Sequence, residues 1–199
     1  MSARVWALLV DGADPAVCRG QTRPPERAVS VAELRGGAFD APPDWLWVLN
    51  RRVRPSDSCL AELLAAASSL DGLPAPVLLA SHVASSDPLA EPVPSLDKEL
   101  EIEAASRRLV PVRALPTTSF LMHPGVASPA LEHGHVFAFT AHLLRDSPGY
   151  LVPGSRATLE GPVPERLAAR ARTLRSSWRG AEAVWFALRL LSQARPGSS

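Results

Sequence analysis

Lysine is almost missing from this chain. Lys98 is the only one among 21 basic side chains, so the basic character belongs to arginine. Those 21 Lys and Arg face 20 Asp and Glu, and the formal net charge of +1 gives no global drive toward nucleic acid or an anionic membrane. Cysteine is also scarce. Cys18 and Cys59 have no CxxC spacing, which argues against a structural zinc or a disulfide framework and points to buried or incidental thiols of a reducing compartment. No run approaches the roughly 20 apolar residues that span a bilayer. The apolar start, Val5 to Val10, is too short for a signal-peptide core and is followed by no small-residue cleavage pattern. The expectation is a cytoplasmic protein, with contact to the inner face of the membrane through an acceptor or partner as an extension of it. Gly-rich phosphate loops, nucleophile elbows and zinc-helix motifs are all missing.

What is present is a globular composition, 46% hydrophobic and 21% charged, in 199 residues. That length suits one sizeable domain, expected over residues 1–195 with 196–199 as a frayed tail. The most informative stretch is Asp44-Trp45-Leu46-Trp47-Val48-Leu49-Asn50-Arg51-Arg52-Val53-Arg54-Pro55. An apolar run ends abruptly in a polar triplet, as when a buried strand delivers polar groups to the carboxyl edge of a parallel sheet. Ser56 then reads as the cap of a helix with Leu60, Leu63, Leu64 and Ala67 on one face. Pro76 to Ser81 reads as a further buried strand, completing a βαβ unit. Upstream, Val5–Val10 reads as a first strand ending in an Asp11-Gly12 turn. Asp14-Pro15 starts a short helix, and Ala28–Ala32 is a weaker second strand. Downstream, Val110–Arg113, Thr118–Met122 and Gly149–Pro153 are short strand candidates. Phe137–Leu144, Arg166–Arg175 and Trp178–Ala194 have helical spacing.

Three segments, in order, resemble family-2 glycosyltransferases of the rhamnosyl/galactofuranosyl-transferase kind, which have the GT-A fold. Trp45–Asn50 with Arg54-Pro55 and the Leu60–Leu64 helix resembles the family's donor-site strand, acidic motif, proline and helix. Pro76–His82 is similar to the strand that follows. Phe139–Arg145 with Gly149–Ser155 resembles its Thr-Ala-Arg helix and Gly-Tyr-Leu-Val-Pro strand. Ser176–Leu190 is similar to its C-terminal aromatic-basic helix. The resemblance covers residues 44 to 190. It implies an α/β fold, a single GT-A-like domain with a mainly parallel sheet flanked by helices. It also implies transfer of a sugar from a UDP- or dTDP-sugar to a glycan or lipid-linked acceptor.

The departures concern the chemistry. Where the family's aspartates would hold a divalent cation, this chain has Asn50, Arg51 and Arg52. A hard cation needs carboxylate oxygens, so no cofactor is expected, and Arg51 and Arg52 become candidate replacements at the donor diphosphate. Ala138 aligns where the family's acidic base stands, His142 where an arginine stands, and Arg156–Glu160 lacks the family's late histidine. The base candidates left are His135 and Glu132, with His133, His123 and His142 as further imidazoles near them. Asp11 joins Asn50, Arg51 and Arg52 as a donor-binding candidate, and Glu33 is a weaker one. Trp45 and Trp47 read as core. The expected reading is thus a glycosyltransferase that works without metal. Its rival is a pseudo-glycosyltransferase that binds nucleotide-sugar or scaffolds an active protein partner. An unrelated α/β binding domain is a third reading. No nucleic-acid partner is expected.

Overall fold

The computed structural model describes residues 3–36, 41–70, 77–85, 104–107, 109–112, 119–125 and 149–160. These residues form an α/β structure around one eight-stranded sheet. In chain order they give β1 (Val5–Val10), a 3-10 turn (Pro15–Cys18), β2 (Arg27–Ser30), α1 (Val31–Gly36), β3 (Trp45–Asn50), β4 (Val53–Pro55), α2 (Cys59–Ser69), β5 (Leu78–Ser85), β6 (Val110–Val112), β7 (Ser119–Met122) and β8 (Gly149–Leu159). The strands lie in the order β2-β1-β3-β7-β5-β8-β4, with β6 also on β8.

The expected mainly parallel sheet is in fact mixed. β1 runs parallel to β2 and β3, and β5 to β8. β7, however, is antiparallel to both β3 and β5 and stands between them. The β3–α2–β5 unit therefore joins two like-directed strands that are not neighbours. β4 and β6 are antiparallel to β8 as well.

The apolar runs explain why the inner strands sit where they do. Successive side chains of a strand point to opposite faces, so an unbroken apolar run fits only a strand covered on both sides. On one face Ala7, Trp47, Leu49, Leu79 and Leu121 join Leu60, Leu63 and Leu64 of α2 in a single core. On the other, Leu8, Leu46, Val48, Phe120 and Met122 are at most 1% exposed. Burying each leucine of α2 contributes about 1.5–3 kcal/mol, which outweighs the weak capping of that helix. Ser56 is not its cap. Ser58 occupies the cap position without a side-chain bond. The orphan amide of Leu60 is instead satisfied by the side chain of buried Gln21, whose Oε1 accepts at 3.1 Å while its Nε2 donates to the Ser56 carbonyl at 2.9 Å.

The long strand β8 is where the sheet departs most from expectation. It spans 11 residues, not the short Gly149–Pro153 segment expected. Its register against β5 jumps from Ser81↔Val152 to His82↔Arg156, so Pro153, Gly154 and Ser155 form an extra loop on one strand. Beyond this bulge the pairing resumes and receives β4 on the far side of β8. β4 stands four ladder steps from β3 in the sheet order, about 19 Å if the sheet were flat. Only a Asn50-to-Val53 tether connects them, with a reach of roughly 10 Å. The sheet must therefore curl, and the upper parts of β5 and β8 form an arm bent back toward the end of β3. Pro55 is tolerated because β4 is an edge strand.

Candidate functional site

The site is built where β1 and β3 end side by side. Val10 is the ladder partner of Asn50, so the residue that follows Val10 is delivered to the Asn50 side chain. That residue, Asp11, has φ 54 and is followed by Gly12 at φ 74. Both are left-handed, a conformation that Asp tolerates and Gly adopts freely. The turn is closed by the Ala13 amide donating to the Val10 carbonyl at 3.2 Å.

Asn50 Nδ2 donates to Asp11 Oδ2 at 2.8 Å, and Asn50 Oδ1 accepts from the Arg52 amide at 3.1 Å. An amide does both through two separate atoms, with the nitrogen donating and the oxygen accepting. An aspartate here would keep the second bond but turn a carboxylate on Asp11, and like charges at that distance disfavour ionisation of both.

The two arginines divide their work. Arg52 Nε donates to the Glu160 carbonyl at 3.0 Å, and the Glu160 amide donates to the Arg52 carbonyl at 2.8 Å. Arg54 adds an ion pair to the Glu160 carboxylate at 3.0 Å. Both partners are about half exposed, so this pair adds little stability. Arg52 is thus a strap between the end of β3 and the end of β8. Arg51 is exposed and has no hydrogen bond or ion pair among the described residues. It is the guanidinium of the pair that is available to an anion.

Asp11, Asn50, Arg51 and Arg52 are therefore gathered at one edge. His135 and Glu132 lie outside the described residues, as do His133, Ala138 and His142. His123 follows the last residue of antiparallel β7, which pairs with Leu46, and so stands at the opposite edge of the sheet from Asn50. There its ring meets Trp45 edge-on, with centroids 5.8 Å apart. Glu33 is occupied too. Its Oε2 accepts from the Ser30 amide at 2.6 Å, and its own amide donates to Ser30 Oγ at 3.2 Å. This is a capping box on α1, and the Ser30 bonds, backbone first, hold the Glu33 carboxyl below its ordinary range.

Among the described residues, the oxygens gathered here do not by themselves make up the ligand set of a divalent cation. Asp11 supplies one carboxylate, already bonded to an amide, and the Asn50 oxygen is already bonded to the Arg52 amide. Mg²⁺ or Ca²⁺ takes six or more oxygen ligands. Among the described residues no group of three His, Cys, Asp or Glu side chains could hold a metal ion, and no helix is long and apolar enough to cross a membrane.

Sequence reasoning missed the strap. β4 is three residues long and contains a proline, and its partner is over a hundred residues away, so no local pattern marks it. Gln21 likewise carries no local signal of its role at α2. No family model matches the chain, and no curated protein matches it.

Proposed function

We propose that the carboxyl edge of β1 and β3 binds the diphosphate of a UDP- or dTDP-sugar without metal, with Arg51 as the principal contact, in a GT-A-like glycosyltransferase domain. The observation that carries this reading is position. β1 is flanked by β2 on one side and β3 on the other, so the chain leaving β1 turns toward β2 while the chain leaving β3 turns the opposite way, and the two part between Asp11 and Asn50. Open α/β sheets hold their ligands in the crevice at such a switch point, beyond the carboxyl ends of the strands. Arg51 stands on the turn leaving that crevice, and a guanidinium fork suits phosphate oxygens.

In an active enzyme the acceptor hydroxyl, of a glycan or a lipid-linked sugar, attacks the anomeric carbon. The bond to the nucleoside diphosphate breaks with its electron pair staying on the diphosphate oxygen, Arg51 stabilises that charge by hydrogen bonding, and the hydroxyl proton goes to His135 or Glu132. Asn50 orients Asp11 beside the donor. This role belongs in the cytoplasm, at the inner membrane face if the acceptor is a lipid.

A second reading is favoured by one contact. Asp11 is the one carboxylate among the gathered residues and Asn50 holds one of its oxygens, so no second carboxylate stands beside it to complete a metal site or act as base. The protein would then bind nucleotide-sugar without turnover, or scaffold an active partner.

Titration calorimetry with UDP and dTDP tests the shared part. Wild type is expected to bind equally with EDTA or Mn²⁺, and Arg51→Ala to lose about tenfold in affinity, roughly 1.4 kcal/mol. Absence of binding by wild type, or unchanged binding by Arg51→Ala, overturns the proposal. A transfer and hydrolysis screen over UDP- and dTDP-sugars then separates the readings: metal-independent turnover supports the enzyme, and binding without turnover supports the pseudoenzyme.

A further inference from the structure

Beneath the edge lies a polar cluster that is sealed from the surface. Ser81, Ser119, Ser155, Cys59 and Trp47 are all 0% exposed. Trp47 Nε1 donates to Ser119 Oγ at 3.3 Å, and Ser119 and Ser81 hydroxyls meet at 2.9 Å. Cys59 Sγ lies 3.3 Å from both Ser81 Oγ and Ser155 Oγ. Ser155 Oγ is within 2.9 Å of the Cys59 carbonyl and of Ser81 Oγ.

The indole donates to Ser119, Ser155 donates toward the Cys59 carbonyl and Ser81, and the Ser119, Ser81 and Cys59 contacts can run in either sense, so every hydrogen of the cluster has an acceptor within it. The network includes an obligatory donor, the indole N–H, and an obligatory acceptor, the Cys59 carbonyl. Such directional networks fix geometry in a way that apolar packing does not.

The five residues come from opposite sides of the bend. Ser81 is the last residue of β5 before the register jump, and Ser119 and Trp47 belong to the main sheet. Ser155 ends the bulge, and Cys59 opens α2 four residues after β4. We propose that this cluster is a clasp that sets the register of the bulge and holds the curled arm closed. The clasp and the arm open together as one local unit, exposing the Cys59 thiol while β1, β3 and β7 stay folded. The arm is a small unit at the sheet's margin: β4 is a three-residue edge strand, tied to β8 by a half-exposed ion pair, the Arg52–Glu160 strap and a few backbone bonds, with Val53, Val83 and Ala157 as its buried apolar side chains. The inference does not depend on the ligand proposed above.

The test is thiol labelling read beside amide exchange in a Cys18→Ala background, where Cys59 is the only thiol. Cys59 is expected to label with the same opening constant as the exchange of the Ser56 and Glu160 amides, which bond to Arg156 and Arg52 across the arm. That constant should exceed that of the β1 and β3 amides by at least about tenfold. Ser155→Ala should raise Cys59 labelling and the exchange of the Ser56 and Glu160 amides together by about a further tenfold, keeping the two constants equal. Labelling of Cys59 at the constant of the β1 and β3 amides overturns the proposal. The comparison within the Cys18→Ala protein decides by itself if Ser155→Ala does not fold.

Discussion

Asn50 at the rim and Ser119 below it are separated by one ladder step, since Ser119 pairs with Leu49, yet their surroundings are opposite. The rim group, Asp11, Asn50 and Arg51, faces water and keeps a guanidinium unspent. The inner group, Trp47, Ser81, Ser119, Ser155 and Cys59, is fully enclosed, and every member is bonded within it. A polar group in water loses little when its partner is removed, because water replaces the partner. A polar group in the interior has no replacement. The rim is therefore free to serve a ligand, while the inner cluster is committed to the fold.

The sharpest break of this contrast is Ser119→Ala. It leaves the Trp47 indole without its acceptor while Ser81 keeps Cys59 and Ser155, and urea unfolding should report a loss of about 2–3 kcal/mol. A loss below about 0.5 kcal/mol would put the inner group on the same footing as the rim. Next in size is the response of an enclosed thiol to alkali. Burial, reinforced by the charge of Asp14, raises the Cys18 thiol to about 11. Between the ordinary thiol value and that one, the unfolded chain has lost the proton while the folded protein keeps it. The unfolded state binds fewer protons there, so stability falls as pH rises. From pH 8 to 10.5 wild type should lose about 2 kcal/mol more than Cys18→Ala does, read from urea midpoints.

The rim's own charges give smaller effects. Asn50→Asp sets two carboxylates against each other and should cost about 1 kcal/mol at neutral pH. Millimolar Mn²⁺ should restore the melting temperature of this variant and leave wild type unmoved. An equal metal response of both proteins would contradict the misfit of the native donor set. Smallest of all, Arg51→Ala should shift stability by less than about 0.5 kcal/mol. A larger shift in thermal melting would mean that Arg51 supports the fold after all.

The contrast also explains what could be read in advance. The strands β1 and β3 and the apolar face of α2 announce themselves, because each is a continuous local pattern. The meeting of Asp11 with Asn50 follows from those two strands being parallel neighbours in register. Ser81 and Ser119 sit at the borders of apolar runs and look like ordinary strand ends. Their burial depends on α2 and the bulge, which bring Cys59 and Ser155 from distant parts of the chain. The reversed direction of β7 was hidden for a similar reason: a four-residue apolar strand reads the same in either sense. Arg51 and Arg52 looked equivalent, and only the return of β8 to Arg52 distinguishes them.

That return has a consequence for how the molecule is made. Arg52 and Glu160 are 108 positions apart in the chain, and closing so long a loop is entropically slow. As the ribosome releases the N-terminal half, β1, β2 and β3 can assemble with their Asp11 turn complete, but the Arg51–Arg52 turn waits for the residues of β8. The loop that carries the free guanidinium is among the last parts to set. A ribosome stalled before Gly149 should therefore display a protease-sensitive bond after Arg51 that vanishes once residue 160 has emerged.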